Sequence, residues 1–293
     1  MRLDEALARF EVQLRADGRS PHTIGQYRRA IGLLGRWLAA AGHGTALDAI
    51  TPEVLAAFLV SPEVRTSARG GAKAAISVNA TRTGLRVFFG WVHEAGYSAS
   101  NPARLIRRGL CAPPPPRALS QAEVDRLLQA LDAASGCSAR RDRVLVRLLL
   151  ATGVRLGSAI ALDAEDVDLA LGQLTLRSVK GDRVERIPLG REIRDHLAGY
   201  LALRPRRGPL FRNPRGERLS KRQAQRQITR WLDRVGIENG TPHSLRHSFA
   251  TGLLARTGDL FLVKQALRHR SIASTTVYLS IDDACIRRAL DVR

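Results

Sequence analysis

Apolar residues recur every three or four positions through most of this chain, the pattern of helices that bury one face. The opening run, MRLDEALARFEVQLRADG, interleaves leucines and Phe10 with charged positions and predicts an amphipathic helix ended by Gly18. Ser20 and Pro21 then supply an N-cap and a first-turn proline. The helix they open runs to Gly42, with Ile24, Tyr27, Ile31, Leu34 and Leu38 on one stripe. Thr51-Pro52 starts a third helix through VLAAFLV. A fourth covers VNATRTGLRVFFGWVHEAG, with Leu85, Phe88, Phe89 and Val92 facing inward. Those aromatics read as core and not as a platform for stacking bases.

The pattern breaks at CAPPPPRA, residues 111–118. Four consecutive prolines cannot continue a helix and favour an extended linker. Directly after it, Ser120-Gln121-Ala122-Glu123 is a capping box that announces a new helix and a new domain. The expected organisation is a helical domain over 1–110, a proline-rich linker over 111–118 and a second domain over 119–293. In that second domain an apolar helix, VLVRLLLATG, stops at Gly153. Further helices are expected around 191–203, 220–235, 243–255 and 259–267, with a short one at 283–290. In QLTLRSVKGDRVERIPL the period changes to two on either side of Lys180-Gly181-Asp182, which predicts a hairpin of two short strands. The fold class is mainly α with a small antiparallel β element.

Composition adds limits. The 293 residues are 44% hydrophobic, enough for two ordinary cores and too apolar for a disordered chain. No apolar run approaches the roughly 20 residues that span a bilayer. The acid-bearing start is neither a signal nor a transit peptide, so a cytoplasmic protein is expected. Cys111, Cys137 and Cys285 are scattered and lack CxxC spacing, which argues against a disulfide framework or a cysteine zinc site.

Charge changes the picture. Lysine and arginine number 47 against 27 acids, a formal +20. Both halves are basic, so a polyanion would be gripped by the whole protein. Only Lys73, Lys180, Lys221 and Lys264 are lysines. Arginine's planar fork suits phosphate oxygens, although codon bias in a GC-rich genome enriches arginine equally well. Nucleic acid is the favoured partner, ahead of an anionic membrane surface.

An ATP-driven machine is excluded quickly. A Walker A loop needs glycine before its lysine, and here Ala72, Val179, Ser220 and Val263 hold those places. The strongest cluster is TPHSLRHSFAT, where Pro242 opens a helix with His243 and Arg246 on one face. Free amides and the helix dipole make such an end a natural seat for phosphate. A zinc site on His243 and His247 would lack the glutamate of HExxH and a third ligand. Arg155 lies just past the helix that ends at Gly153, where it must find an anion or solvate itself. Lys180 sits on the hairpin tip, a place where lysines are ordinarily just solvated. In LRHRSIASTTVYLS, His269 precedes Tyr278 by nine residues, and the tyrosine stands among Ser274, Thr275 and Thr276, an odd setting for a core residue.

In this order and spacing, Arg155, Lys180, His243-x-x-Arg246, His269 and Tyr278 resemble the active-site series of the tyrosine recombinase (phage integrase) family. The resemblance covers nearly the whole chain and is closest to simple two-domain, Xer-type or transposon-encoded members. It implies a SAM-like core-binding domain that embraces DNA opposite a catalytic domain. It implies that Tyr278 is the nucleophile, joined to DNA as a 3′-phosphotyrosine, with Arg155 and Arg246 on the non-bridging oxygens. Lys180 would protonate the departing 5′-hydroxyl, His243 would be the acid/base partner of the tyrosine, and His269 would donate a hydrogen bond to the phosphate. No cofactor, metal or ATP is implied. The implied partners are double-stranded DNA with a specific recombination site and three further protomers in a tetrameric synapse, with residues 281–293 docking on a neighbour. An accessory or partner recombinase is a further possibility in this family. Two positions depart from the pattern. Ser158 replaces a glutamate that helps to hold the first arginine, leaving Asp163 as the expected substitute. Arg268 replaces a glycine, which implies an altered backbone or an added DNA contact. Two alternatives use the same fold: a DNA-binding protein that has lost catalysis, and a relaxase of the type IB topoisomerase kind.

Overall fold

The computed structural model describes residues 1–67, 70–111, 117–177, 184–203, 205 and 207–268. The expectations for Lys180, His269, Tyr278 and Cys285, and for a helix at 283–290, lie outside the described residues. The chain divides into two compact units, Met1–Pro114 and Pro115–Arg293.

The first unit is helical: α1 (Leu3–Ala16), α2 (Pro21–Ala40), α3 (Pro52–Val60), α4 (Pro62–Arg65) and α5 (Ala75–Glu94). The caps work as their chemistry dictates. Ser20 Oγ accepts the Thr23 N–H at 3.2 Å, and Thr51 Oγ1 accepts that of Val54 at 3.4 Å. Ser61-Pro62 opens the single turn of α4 without a side-chain cap hydrogen bond, an element the apolar period did not announce. The predicted stripes face one core, in which Phe10 meets Phe88 edge-on with ring centroids 5.5 Å apart. The charged residue taken into it, Glu11, is gripped by Arg28, whose Nε and Nη2 each lie 2.5 Å from a carboxylate oxygen. That fork holds the Glu11 carboxyl below its ordinary value. Asn79 on α5 pairs its amide with both backbone groups of Gly109, at 2.9 and 2.8 Å, and so ties down the end of the unit.

The second unit comprises α6 (Gln121–Ala133), α7 (Cys137–Thr152), α8 (Leu156–Ala161), β1 (Val167–Asp168), β2 (Gln173–Arg177), β3 (Val184–Pro188), α9 (Arg191–Leu201), α10 (Lys221–Arg234), α11 (Pro242–Thr257) and α12 (Leu260–Leu267). The predicted capping box closes at both ends: Ser120 Oγ accepts from Glu123 N, and Glu123 Oε2 accepts from Ser120 N. The sheet is antiparallel in the order β1-β2-β3. Leu174 opposite Ile187 supplies its buried pair. At two residues, β1 is too short to carry a readable period.

Helix α7 runs through the core with Val144, Leu145, Leu148 and Leu149 buried. It also carries a buried charge. Arg141, 1% exposed, forks onto Asp142 Oδ1 at 2.9 and 2.7 Å and reaches the Arg212 carbonyl and Gln227 Oε1. Asp142 Oδ2 accepts from Trp231 Nε1 at 3.1 Å. A buried ion pair is tolerable only when its donors and acceptors are satisfied in this way, and the network fastens α7 to α10. The acidic run is structural too. Asp166 caps the turn at Ala164–Asp166 and binds Arg177, while Glu165 accepts from Gly208 N. Of the described thiols, Cys137 is exposed and Cys111 half-buried.

Candidate active site

Three of the six sequence-selected residues lie among those described, and they meet where α7 ends and α11 begins. Gly153 terminates α7 in the left-handed region, at φ 61° and ψ 14°. Two residues later Arg155 serves as the N-cap residue of α8. Its guanidinium is exposed. Among the described residues it has no ion pair or side-chain hydrogen bond. Asp163, the carboxylate expected to hold it, binds Arg218 instead at 2.6 Å. Arg218 also caps the carbonyls of Ile160 and Leu162 at the end of α8, so the acid belongs to a strut behind the site. Among the described residues, then, no carboxylate neutralises Arg155, and the residue is exposed.

Thr241 caps α11, accepting the Ser244 N–H at 3.3 Å, and Pro242 follows as its first residue. This sets His243 on the exposed first turn and Arg246 on the buried second. Arg246 is 4% exposed. Its Nη1 donates to the Gly153 carbonyl and its Nη2 to the Leu267 carbonyl at 2.7 Å. The arginine is thereby fastened between the ends of α7 and α12. The His243 ring lies edge-to-face with that of His247, centroids 4.3 Å apart.

Packing around the His243 ring pushes its pKa below the ordinary 6.5, and the cations of Arg246 and Arg155 push the same way. His243 is thus neutral at physiological pH and ready to accept a proton. That shared influence also shows the two arginines and the histidine to be one electrostatic neighbourhood. It suits an anion flanked by a proton acceptor.

Two further features take their meaning only from the fold. Helix α10 buries Ala224, Ile228 and Leu232 and turns Arg222, Arg226 and Arg230, one turn apart, to solvent beside Gln225. The spacing was visible, but arginine is too abundant here for its presence to mark anything. The second is Arg268, which ends α12 at φ 55° and ψ 45°. That left-handed conformation costs a residue with a Cβ roughly 1–2 kcal/mol and suits glycine. Its guanidinium turns back to β3, pairing with Glu185 at 3.4 Å and donating to the Arg186 carbonyl. The Arg268 backbone thus holds the turn that glycine favours, and its guanidinium is engaged on β3.

Among the described residues, no helix is long and apolar enough to cross a membrane.

Comparison with known proteins gives consistent matches. Residues 117–284 match the phage integrase family, and residues 7–96 match the phage integrase N-terminal SAM-like domain. Tyrosine recombinase XerC of Chromobacterium violaceum is 33% identical over 99% of this chain and 94% of its own length. Among solved structures, the XerH site-specific recombinase bound to a palindromic difH substrate in a post-cleavage complex superposes with a TM-score of 0.75. It is 23% identical, covering 96% of this chain and 84% of that one. A lambda integrase tetramer bound to a Holliday junction superposes with a TM-score of 0.73 at 22% identity, covering 92% and 78%.

Proposed function

This chain belongs to the phage integrase family, and from that premise we propose how its residues carry out site-specific recombination of DNA. The Tyr278 oxygen attacks a backbone phosphorus. The bond from phosphorus to the 5′-oxygen breaks as the new one forms, leaving a 3′-phosphotyrosine and a free 5′-hydroxyl. Rejoining runs the same step backwards with the 5′-hydroxyl of another strand. A free phenol, with a pKa near 10, is ionised in only about one molecule in a thousand at pH 7. Neutral His243 takes its proton, Lys180 supplies one to the leaving oxygen, and Arg155, Arg246 and a hydrogen bond from His269 stabilise the phosphorane charge. The phosphotyrosine conserves the energy of the broken bond, so neither ATP nor a metal is needed to reseal.

The observation that carries this reading is the gathering of His243, Arg246 and Arg155 where α7 ends and α11 begins, with Arg246 mounted on two helix-end carbonyls and Arg155 without an ion pair among the described residues. The rigid arginine gives fixed geometry; the exposed one is open to a phosphate. The stripe of Arg222, Arg226 and Arg230 with Gln225 then contributes phosphate and base contacts. The proposal includes a tetramer that joins two duplexes, an arrangement supported by the lambda integrase tetramer bound to a Holliday junction, working in the cytoplasm where the substrate lies. The domain limits proposed from the sequence, 1–110 and 119–293 about a proline linker, stand with it.

The test is covalent trapping. Random-sequence duplexes with a single nick are incubated with the protein, and denaturant-resistant adducts are collected and sequenced. Wild type yields adducts enriched in one sequence; Tyr278→Phe yields none but still shifts DNA mobility. Adducts with the phenylalanine variant, or their absence with wild type, would refute the reading. DNA binding without adducts would indicate the inert alternative, and relaxation of any supercoiled plasmid the topoisomerase-like one. Neither is favoured by the match to XerC.

A further inference from the structure

Arg268 holds a backbone conformation that suits glycine, and its buried Nε has no hydrogen-bond partner among the described residues. Both features are unfavourable, so the contacts made by the rest of the guanidinium must offset them. Those contacts reach Glu185 and Arg186, adjacent residues of β3. The carbonyl of the preceding residue, Leu267, accepts from Arg246 at 2.7 Å. Two successive residues at the end of α12 thus serve different partners, one holding the buried arginine of the site and the other holding the sheet. β3 is the strand that follows residues 178–183, the segment containing Lys180, and residue 269 is the next in sequence after the strap.

We propose that Arg268 is a positioning residue, a strap that locks β3, the strand that follows Lys180 in sequence, to the mount of Arg246. This rests on the recombinase reading and adds to it a residue that touches neither DNA nor the reacting atoms. The guanidinium is engaged on its own sheet, which leaves it unsuited to contact a duplex.

Arg268→Gly supplies the residue that the backbone prefers and deletes both contacts. Wild type and variant are compared on a duplex recovered from the adduct selection, synthesised with either oxygen or sulfur at the 5′-bridging position of the scissile phosphate. A thiolate departs without a proton, so sulfur removes the need for the acid. The variant should bind this DNA within about twofold of wild type and cleave the oxygen substrate about tenfold more slowly, a fraction of what a general acid contributes. On the sulfur substrate it should recover to near the wild-type rate, as Lys180→Ala should. Arg268→Lys, which keeps the charge opposite Glu185, should fall between. An equal defect on both substrates, or none on oxygen, overturns the proposal.

If wild type cleaves neither duplex, the recombinase reading fails by itself, and the strap is judged by hydrogen exchange in the absence of DNA. Arg268→Gly should then lower the protection of amides in 184–188 about tenfold and leave those of α7 unchanged. Unaltered exchange in β3 would dispose of the strap.

Discussion

Replacing Gly153 with alanine places two separate penalties on one methyl group. The first is conformational: at φ 61° the backbone is left-handed, which costs an L residue about 1 kcal/mol or more. The second is steric. The new Cβ would overlap one edge of the Phe249 ring, with Cε1 at 2.8 Å, Cγ at 2.9 Å and Cδ1 nearer still. Forcing a methyl into packed neighbours costs roughly 1–3 kcal/mol, so the total is about 2–4 kcal/mol. The damage also falls on the site, because Phe249 stands three residues after Arg246 on α11, and the Gly153 carbonyl is an acceptor for that arginine. Urea unfolding measures the loss. Trp231 is the single tryptophan of the second unit, so a Trp37→Phe, Trp91→Phe background makes fluorescence report that unit alone. Phe249→Leu in the same background shortens the offending ring. A double-mutant cycle should show at least about 1 kcal/mol of relief, leaving the backbone cost behind. An alanine variant within about 0.5 kcal/mol of the parent, or no relief from the leucine, would show the reasoning to be wrong.

Other outcomes follow from the same geometry. Arg155→Ala should slow adduct formation roughly 10²–10³-fold, the usual loss for one oxyanion donor, without lowering stability, since the side chain is exposed and has no ion-pair partner among the described residues. A single-turnover rate within tenfold of wild type, or a matching loss of stability, would count against its role. Because His243 sits below 6.5, adduct formation should hold its rate as pH falls to that value and decline beneath it. His243→Gln should lose this acid limb, and a limb that persists belongs to another group. Stability moves the same way: the folded protein takes up this proton less readily than the unfolded chain, so acidification below 6.5 penalises folding. Arg141→Ala leaves Asp142 buried opposite Trp231 Nε1 alone among the described side chains and should cost about 3–5 kcal/mol in urea. Replacing Arg141 and Asp142 together with leucines should recover most of it, and a single variant that unfolds like wild type would contradict the network.

Periodicity located α1, α2, α3 and α5 because each is long, buries one stripe, and, for α2 and α3, begins at an explicit Ser-Pro or Thr-Pro. It passed over α4, α8 and β1, which are too short to repeat anything. Within the site, spacing identified His243 and Arg246 but could not identify what holds the arginine, since the acceptors are carbonyls of Gly153 and Leu267 and a carbonyl leaves no trace in residue identity. Asp163 was chosen to hold Arg155 because it is the nearest acid along the chain. In the fold it meets Arg218, 55 residues away. Arg268 stood out as a departure from a family pattern, yet its meaning lay in a backbone angle and in two residues of a distant strand.

The two carbonyls that receive Arg246 belong to helix ends far apart in the chain. The guanidinium cannot reach its seat until α7, α11 and α12 have all come together. On the proposed chemistry, a partly folded molecule would lack the group that steadies a strained phosphate. Under that reading, the capacity to break a DNA strand would wait on the meeting of three helices, and folding itself would work as the safety catch on a protein whose errors are written into its substrate.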